Sequence, residues 1–180
     1  FIGQVFNRSG YEVLFVDINR SLIDQMNRVK AYRVIIKDGD KEETVRISNI
    51  KGLCLEDEER IMEELKHVSI VSLSVGQQGL RTAIPIIAKS LLARRKDYGN
   101  MPLDIIIAEN MRNADFFIRE ELRKYLPEDY PLDQLVGLVE TSIGKMVPIM
   151  TQEDIKEDPL QVFAEPYNSL IVAKKSFLNP

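Results

Sequence analysis

Residues 11–22 read YEVLFVDINRSL. The stretch 12–18 has the apolar run of a buried strand, and it reaches an acid, Asp17, as the run ends. Asn19 follows at once. It can cap a helix that carries Leu22, Ile23, Met26 and Val29 on one face. Two further apolar runs lead into a helix pattern in the same way. SIVSLSV (69–75) leads into Gly76, and LDIIIAE (103–109) leads into Asn110. A fourth run, VGLVETSI (136–143), completes the series. Continuous apolar strands alternating with amphipathic helices predict a mainly parallel sheet covered on both faces.

The helices between these strands are equally legible. Residues 1–9 place Phe1, Ile2, Val5 and Phe6 on one face, and Gly10 closes the segment. DEERIMEELKH (57–67) is a short amphipathic helix. The next places Leu80, Ile84, Ile87, Ala88, Leu91 and Leu92 together, with Pro85 expected near its start, setting or kinking the first turn. Another runs from Asn110 through Phe116, Phe117, Leu122 and Tyr125 to a stop at Pro127, with both phenylalanines expected in the core. Residues 32–47 alternate around Asp38 and Gly39, the signal of a hairpin inserted into the scaffold. Residues 161–177 hold further strand material. The expected fold class is α/β: a Rossmann-type, doubly wound, mainly parallel sheet with a small β-hairpin insertion.

Composition narrows the function. The chain has 180 residues, 44% hydrophobic and 29% charged, with a net charge of −4 and a pI near 5.2. No basic patch offers itself to nucleic acid. The longest basic cluster, ARRKDYG (93–99), reads as the charged end of a helix. One cysteine, Cys54, cannot form an internal disulfide and is expected to be a small buried residue; this usage predicts a cytoplasmic protein. No run approaches the roughly 20 apolar residues of a membrane span. His67 is the single histidine, so neither a zinc cluster nor a serine-histidine site is expected. The chain opens on Phe1 in what reads as mid-helix, and it is expected to be a piece of a longer protein.

In open parallel sheets, ligands bind beyond the carboxyl ends of the strands. Asp17, Gly76 and Asn110 all stand there. An acid closing the second strand of a dinucleotide-binding fold accepts hydrogen bonds from the ribose hydroxyls, about 20 residues after a glycine loop. That count places the loop before Phe1, with residues 1–9 as the helix that follows it. An acid there repels a 2′-phosphate, which favours NAD. Asp17 equally suits a polar strand terminus beside a helix cap. Gly76 allows close approach of a ligand to the backbone, or simply makes a strand-to-helix turn. Asn110 can donate to a carbonyl oxygen becoming an alkoxide, or cap the next helix.

FIG (1–3), FVDIN (15–19), SVG (74–76), IIIAENM (105–111), VETSIGKMVP (139–148) and DPLQVFAEPY (158–167) occur in the order and spacing of the long-chain, polyol-specific (mannitol) dehydrogenase family, which the chain resembles over nearly its whole length. The resemblance implies an NAD-dependent enzyme interconverting a polyol, or its phosphate, and a ketose. Residues 1–180 are then its dinucleotide-binding domain, without the first strand and glycine loop. The small-molecule substrate meets a catalytic lysine on a C-terminal helical domain of the same chain. FIG looks like the tail of the family's glycine motif. The resemblance makes Gly3, Asp17, Val75, Gly76 and Asn110 cofactor contacts, with Asn110 also holding the reacting oxygen. Lys145 and Glu165 fall to the substrate side, and no metal is implied. One departure is plain: the family's Asp-Arg pair is Gly144-Lys145 here, and a lysine does not reproduce the arginine fork. Three readings therefore stay open: a polyol-phosphate dehydrogenase, a relative acting on an unphosphorylated polyol or hexuronate, and a non-catalytic dinucleotide-binding module.

Overall fold

A computed structural model describes residues 1–144, 148, 150–167 and 169–179. In chain order the elements are α1 (Ile2–Arg8), β1 (Val13–Asp17), α2 (Arg20–Val29), β2 (Ala31–Asp38), β3 (Lys41–Ser48), β4 (Ile50–Cys54), α3 (Glu58–His67), β5 (Ile70–Leu73), α4 (Gly76–Tyr98), β6 (Leu103–Ile107), α5 (Ala114–Arg123), α6 (Leu132–Leu135), β7 (Val136–Ser142), α7 (Gln152–Glu157), β8 (Gln161–Ala164) and β9 (Ile171–Val172), followed by a 3₁₀ turn over Lys174–Ser176. They form two compact units, Phe1–Asp57 with Gly144–Ser169, and Glu58–Ile143 with Leu170–Pro180. The architecture is α/β with mainly parallel strand pairing, as expected.

In the first unit β1 pairs in parallel with β4, from Val13 opposite Ile50 to Asp17 opposite Cys54. The strand β4 was not expected. Gly52 interrupts its short apolar run, and the structure supplies the reason. A Cβ at Gly52 would lie 2.8 Å from Ile23 Cδ1, so the glycine lets α2 close onto the strand. Asn27 secures this contact, accepting from the Gly52 N–H at 2.8 Å and donating to its carbonyl at 2.9 Å. The hairpin β2–β3 turns through Gly39 and Asp40, with φ of +57° at Gly39. It is more than an insertion, because β8 adds to β2 in parallel along Arg33–Ile36. Arg33 ties this return with a 2.9 Å ion pair to Asp158. Met26, Val34, Ile36, Ile47, Ile50, Leu160 and Ala164 are the buried core.

In the second unit β5, β6 and β7 pair in parallel, and β9 closes the far side antiparallel to β7. Both faces of β6 are buried, which accounts for its apolar residues at every position but Asp104. The helix α4 begins at Gly76, so Pro85 lies in its interior and not near its start. Burial of Ile84, Ile86 and Ile87 around the proline offsets its cost of about 3 kcal/mol. The helix α5 begins at Ala114, not at Asn110. It leaves Phe116 exposed, against expectation, while Phe117 packs on the core.

Two buried charges organise this unit. Arg94, in the cluster read as the charged end of a helix, is 2% exposed. Its guanidinium donates to the carbonyls of Leu65, Lys66, Val68, Met101 and Pro102 at 2.7–3.2 Å. Desolvation lowers its pKa. Asp104, on β6, is fully buried and accepts the backbone N–H groups of Leu178 (2.9 Å) and Asn179 (3.0 Å). Its cross-strand neighbour is Gly137, where any Cβ would lie 2.1 Å from the Asp104 carboxylate.

Arg94→Ala leaves five carbonyls without their donor. We expect a loss of about 3 kcal/mol or more, read as a lowered thermal midpoint. Arg94→Lys should recover only a small part, since an ammonium cannot span five acceptors. Burial of Tyr32 against Phe15 pushes its phenol up to about 12. The neutral form is thus favoured in the folded state. That contribution is complete below pH of about 10 and is lost as pH rises through 12. Alkaline unfolding curves of the wild type and Tyr32→Phe should diverge across that window by up to about 2 kcal/mol. Parallel curves would remove the assignment.

Candidate functional site

In the first unit the site is built around the end of β1. Asp17 is its last residue, and the carboxylate is exposed. Oδ1 accepts the Asn19 N–H at 2.8 Å, and Asn19 in turn caps α2 by accepting the Leu22 N–H at 3.1 Å. Asp17 is therefore the polar neighbour of a cap, yet Oδ2 accepts no hydrogen bond among the described residues. An acceptor-only carboxylate with one oxygen open suits a pair of donating hydroxyls. The backbone around it is latched to the turn after β4: the Leu55 N–H donates to the Asp17 carbonyl at 2.9 Å, and the Cys54 thiol reaches the Ile18 carbonyl at 3.8 Å. Cys54 is buried, as expected.

Gly3 lies in the first turn of α1 and is buried. A Cβ there would stand 2.4 Å from Phe15 Cζ and 2.9 Å from Cε1. Its bare Cα lets helix and strand meet, which is the packing task of the third glycine in a dinucleotide motif. Glu165 follows β8 and is half-buried. Gly144 is near the aromatic of the same motif, since a Cβ at Gly144 would meet Tyr167 Cε1 at 3.7 Å. Lys145 lies outside the described residues.

In the second unit Val75 and Gly76 form the turn between β5 and α4. Gly76 has φ of +71°, a left-handed value, and open space where a Cβ would be. Val75 offers α4 no side-chain cap. Glu109, two residues past β6, takes that place. Its Oε1 accepts the N–H groups of Val75 at 2.6 Å and Gly76 at 3.0 Å, and Oε2 accepts that of Gly76 at 3.1 Å. Gly79 makes room for the Val75 side chain, which a Cβ would approach to 2.8 Å. Asn110 is exposed beside Glu109 and does not cap α5, whose N-cap is Asn113. Glu140, on β7, accepts the Ala114 N–H at 3.1 Å and supplies that helix with its carboxylate.

Thus the structure gathers Val75, Gly76 and Asn110 about Glu109 in one unit, while Gly3 and Asp17 belong to the other. Sequence reasoning missed Glu109, Gly79 and Glu140. Only the SVGQQG spacing of two glycines three apart hinted at Gly79. Taken unit by unit, an exposed carboxylate with one oxygen open in the first and a left-handed glycine with unfilled space in the second are each chemically suited to a dinucleotide. Among the described residues, no group of three His, Cys, Asp or Glu side chains could hold a metal, and no helix is long and apolar enough to cross a membrane.

Comparison with known proteins places the chain in a family. The model of the mannitol dehydrogenase Rossmann domain matches residues 1–180. A mannitol-1-phosphate 5-dehydrogenase of Caldanaerobacter subterraneus subsp. tengcongensis is 34% identical over 171 residues, 93% of this chain and 43% of that protein. That of Enterococcus faecalis is 28% identical over 173 residues, 96% of this chain and 44% of that protein. The chain thus spans a little under half the length of these relatives. Among solved structures, a substrate-free D-sorbitol dehydrogenase superposes with a TM-score of 0.72 at 13% identity, covering 90% of this chain and 44% of that one. Pseudomonas fluorescens mannitol 2-dehydrogenase, in a ternary complex with NAD and D-mannitol, superposes with a TM-score of 0.70 at 15% identity, covering 87% and 42%. These likenesses show the fold to be of Rossmann type.

Gly3→Ala should cost about 1–3 kcal/mol by overpacking against Phe15, seen in thermal unfolding of the full-length protein. Phe15→Leu in the same chain should recover part of that loss. Additive effects of the two changes would contradict the contact.

Proposed function

The chain belongs to the mannitol dehydrogenase family, as its Rossmann domain, and on that premise we propose that it is the NAD-binding part of an oxidoreductase interconverting mannitol 1-phosphate and fructose 6-phosphate. The observation that carries the proposal is the pairing of an open Asp17 carboxylate at the end of β1 with curated relatives that are mannitol-1-phosphate 5-dehydrogenases.

Each residue then has a defined task. Asp17 accepts hydrogen bonds from the adenosine ribose hydroxyls through its open oxygen and repels a 2′-phosphate. Gly3 holds α1 against β1. Val75 and Gly76 line the cofactor with a backbone that Glu109 keeps in one conformation. The cofactor, when bound, supplies or accepts a hydride. Asn110 donates a side-chain N–H to the substrate oxygen on which negative charge develops. Lys145 meets the substrate phosphate as a point charge, and Glu165 orients the substrate side. The proton is exchanged with a lysine of the C-terminal domain, a partner within the same longer chain. The cofactor chemistry and the single cysteine fit a cytoplasmic enzyme.

A second reading rests on Gly144-Lys145. With the family's acid and arginine both replaced, a family member acting on an unphosphorylated polyol or a hexuronate has a specific observation in its favour.

Full-length protein supplied with NADH and fructose 6-phosphate should oxidise NADH much faster than with fructose or fructuronate. Preference for either of the latter transfers the proposal to the second reading. Binding of NADH with no turnover of any of the three identifies a non-catalytic module. Asp17→Ala should weaken NADH binding about tenfold or more while disturbing folding far less, since it removes a single exposed hydrogen bond to the Asn19 N–H. Equal affinity in the folded variant would remove the ribose assignment.

A further inference from the structure

Three residues after Asp17, at the start of α2, stands Arg20. Its side chain is half exposed, yet each of its three guanidinium nitrogens is paired with one or both of two acids of the turn after β4. Nε and Nη2 donate to Glu56 Oε2 at 3.2 and 3.0 Å. Nη2 and Nη1 donate to Asp57 Oδ1 and Oδ2 at 3.2 and 3.5 Å. Both carboxylates raise the pKa of Arg20, Asp57 most. The two turns are neighbours because Asp17 and Cys54 are register partners at the ends of β1 and β4.

In dinucleotide folds the acid at the strand end takes the ribose hydroxyls, and an arginine close by accommodates a 2′-phosphate where one is present. Arg20 has the right chemistry and the right place in the sequence for the second task. Asp17, Glu56, Asp57 and Arg20 together carry three negative charges and one positive, so a phosphate dianion arriving at this turn meets net repulsion. Exposed ion pairs are individually weak. Arg20 is therefore withheld by the excess of acids about it, not by a strong bond.

We propose that Glu56 and Asp57 are specificity-determining residues, which sequester Arg20 and so deny a 2′-phosphorylated adenosine ribose its natural cation. Discrimination then has two layers: Asp17 repels the phosphate, and Glu56 with Asp57 hold back the group that would attract it. The proposal rests on the reading of Asp17 as the ribose acceptor.

The experiment titrates full-length protein with ADP and with 2′,5′-ADP by calorimetry, so that no turnover is involved. Glu56→Gln with Asp57→Asn, near-isosteric changes at the surface, should leave ADP binding within about threefold and tighten 2′,5′-ADP about tenfold or more. Adding Arg20→Met to that double variant should abolish the gain. NADH and NADPH binding, followed by fluorescence, should shift in the same sense. Unchanged 2′,5′-ADP affinity in the folded double variant overturns the proposal. So does a gain that survives Arg20→Met, because simple removal of negative charge then accounts for it. A wild-type protein that binds neither ADP nor NADH instead removes the dinucleotide reading itself, and this proposal with it.

Discussion

The second unit is held by one buried guanidinium. Arg94 reaches the carbonyls at the end of α3, at the entry to β5 and at the entry to β6. Those carbonyls belong to helix ends and turns, where the regular ladders have no donors to give. A helix end and the starts of two adjacent strands thus depend on a side chain that α4 delivers. The compensation for burying the charge is entirely dipolar, with five carbonyls in place of a carboxylate. This arrangement needs a planar fork with several donors, and no other side chain offers one.

Acids at the carboxyl ends of strands form the second recurring feature, and their differences are informative. Glu109 and Glu140 both spend oxygens on helix N-termini, those of α4 and α5, where a negative charge complements the helix dipole. Asp17 and Glu140 each give the backbone one oxygen, and of the two Asp17 is the exposed one. Similar chemistry in similar places thus divides by what the carboxylate faces: Glu140 serves the N-terminus of α5, whereas the proposed hydroxyl acceptor is open to solvent.

The strands β1, β5, β6 and β7 were legible because their apolar runs are local signals, although only β6 is buried at every residue. The helix α2 and its Asn19 cap were legible because their signals are local. Whatever depends on a neighbour far along the chain was not. Gly52 reads as a strand breaker until Ile23 is seen against it. Arg94 reads as a surface charge because nothing local announces five carbonyls. Glu109 looks like half of an acid-amide pair, and its partners are 33 and 34 residues away. The same holds for the site. The candidates Asp17, Gly76 and Asn110 follow from position at strand ends and Val75 from the family resemblance, whereas the residues that hold them still do not.

The order in which the chain is synthesised meets an interleaved fold. Arg33 waits for Asp158, 125 residues later, and Asp104 waits for Leu178, 74 residues later. At ribosomal speeds of about 5–20 residues per second, these delays are roughly 6–25 s and 4–15 s. Throughout the first interval the β2 edge that β8 will cover is open to other strands, and throughout the second a buried carboxylate lacks its donors. Nascent chains of this protein thus carry a window of vulnerability that closes only with the last residues of each unit. A chaperone that shields an edge strand for seconds would meet that need.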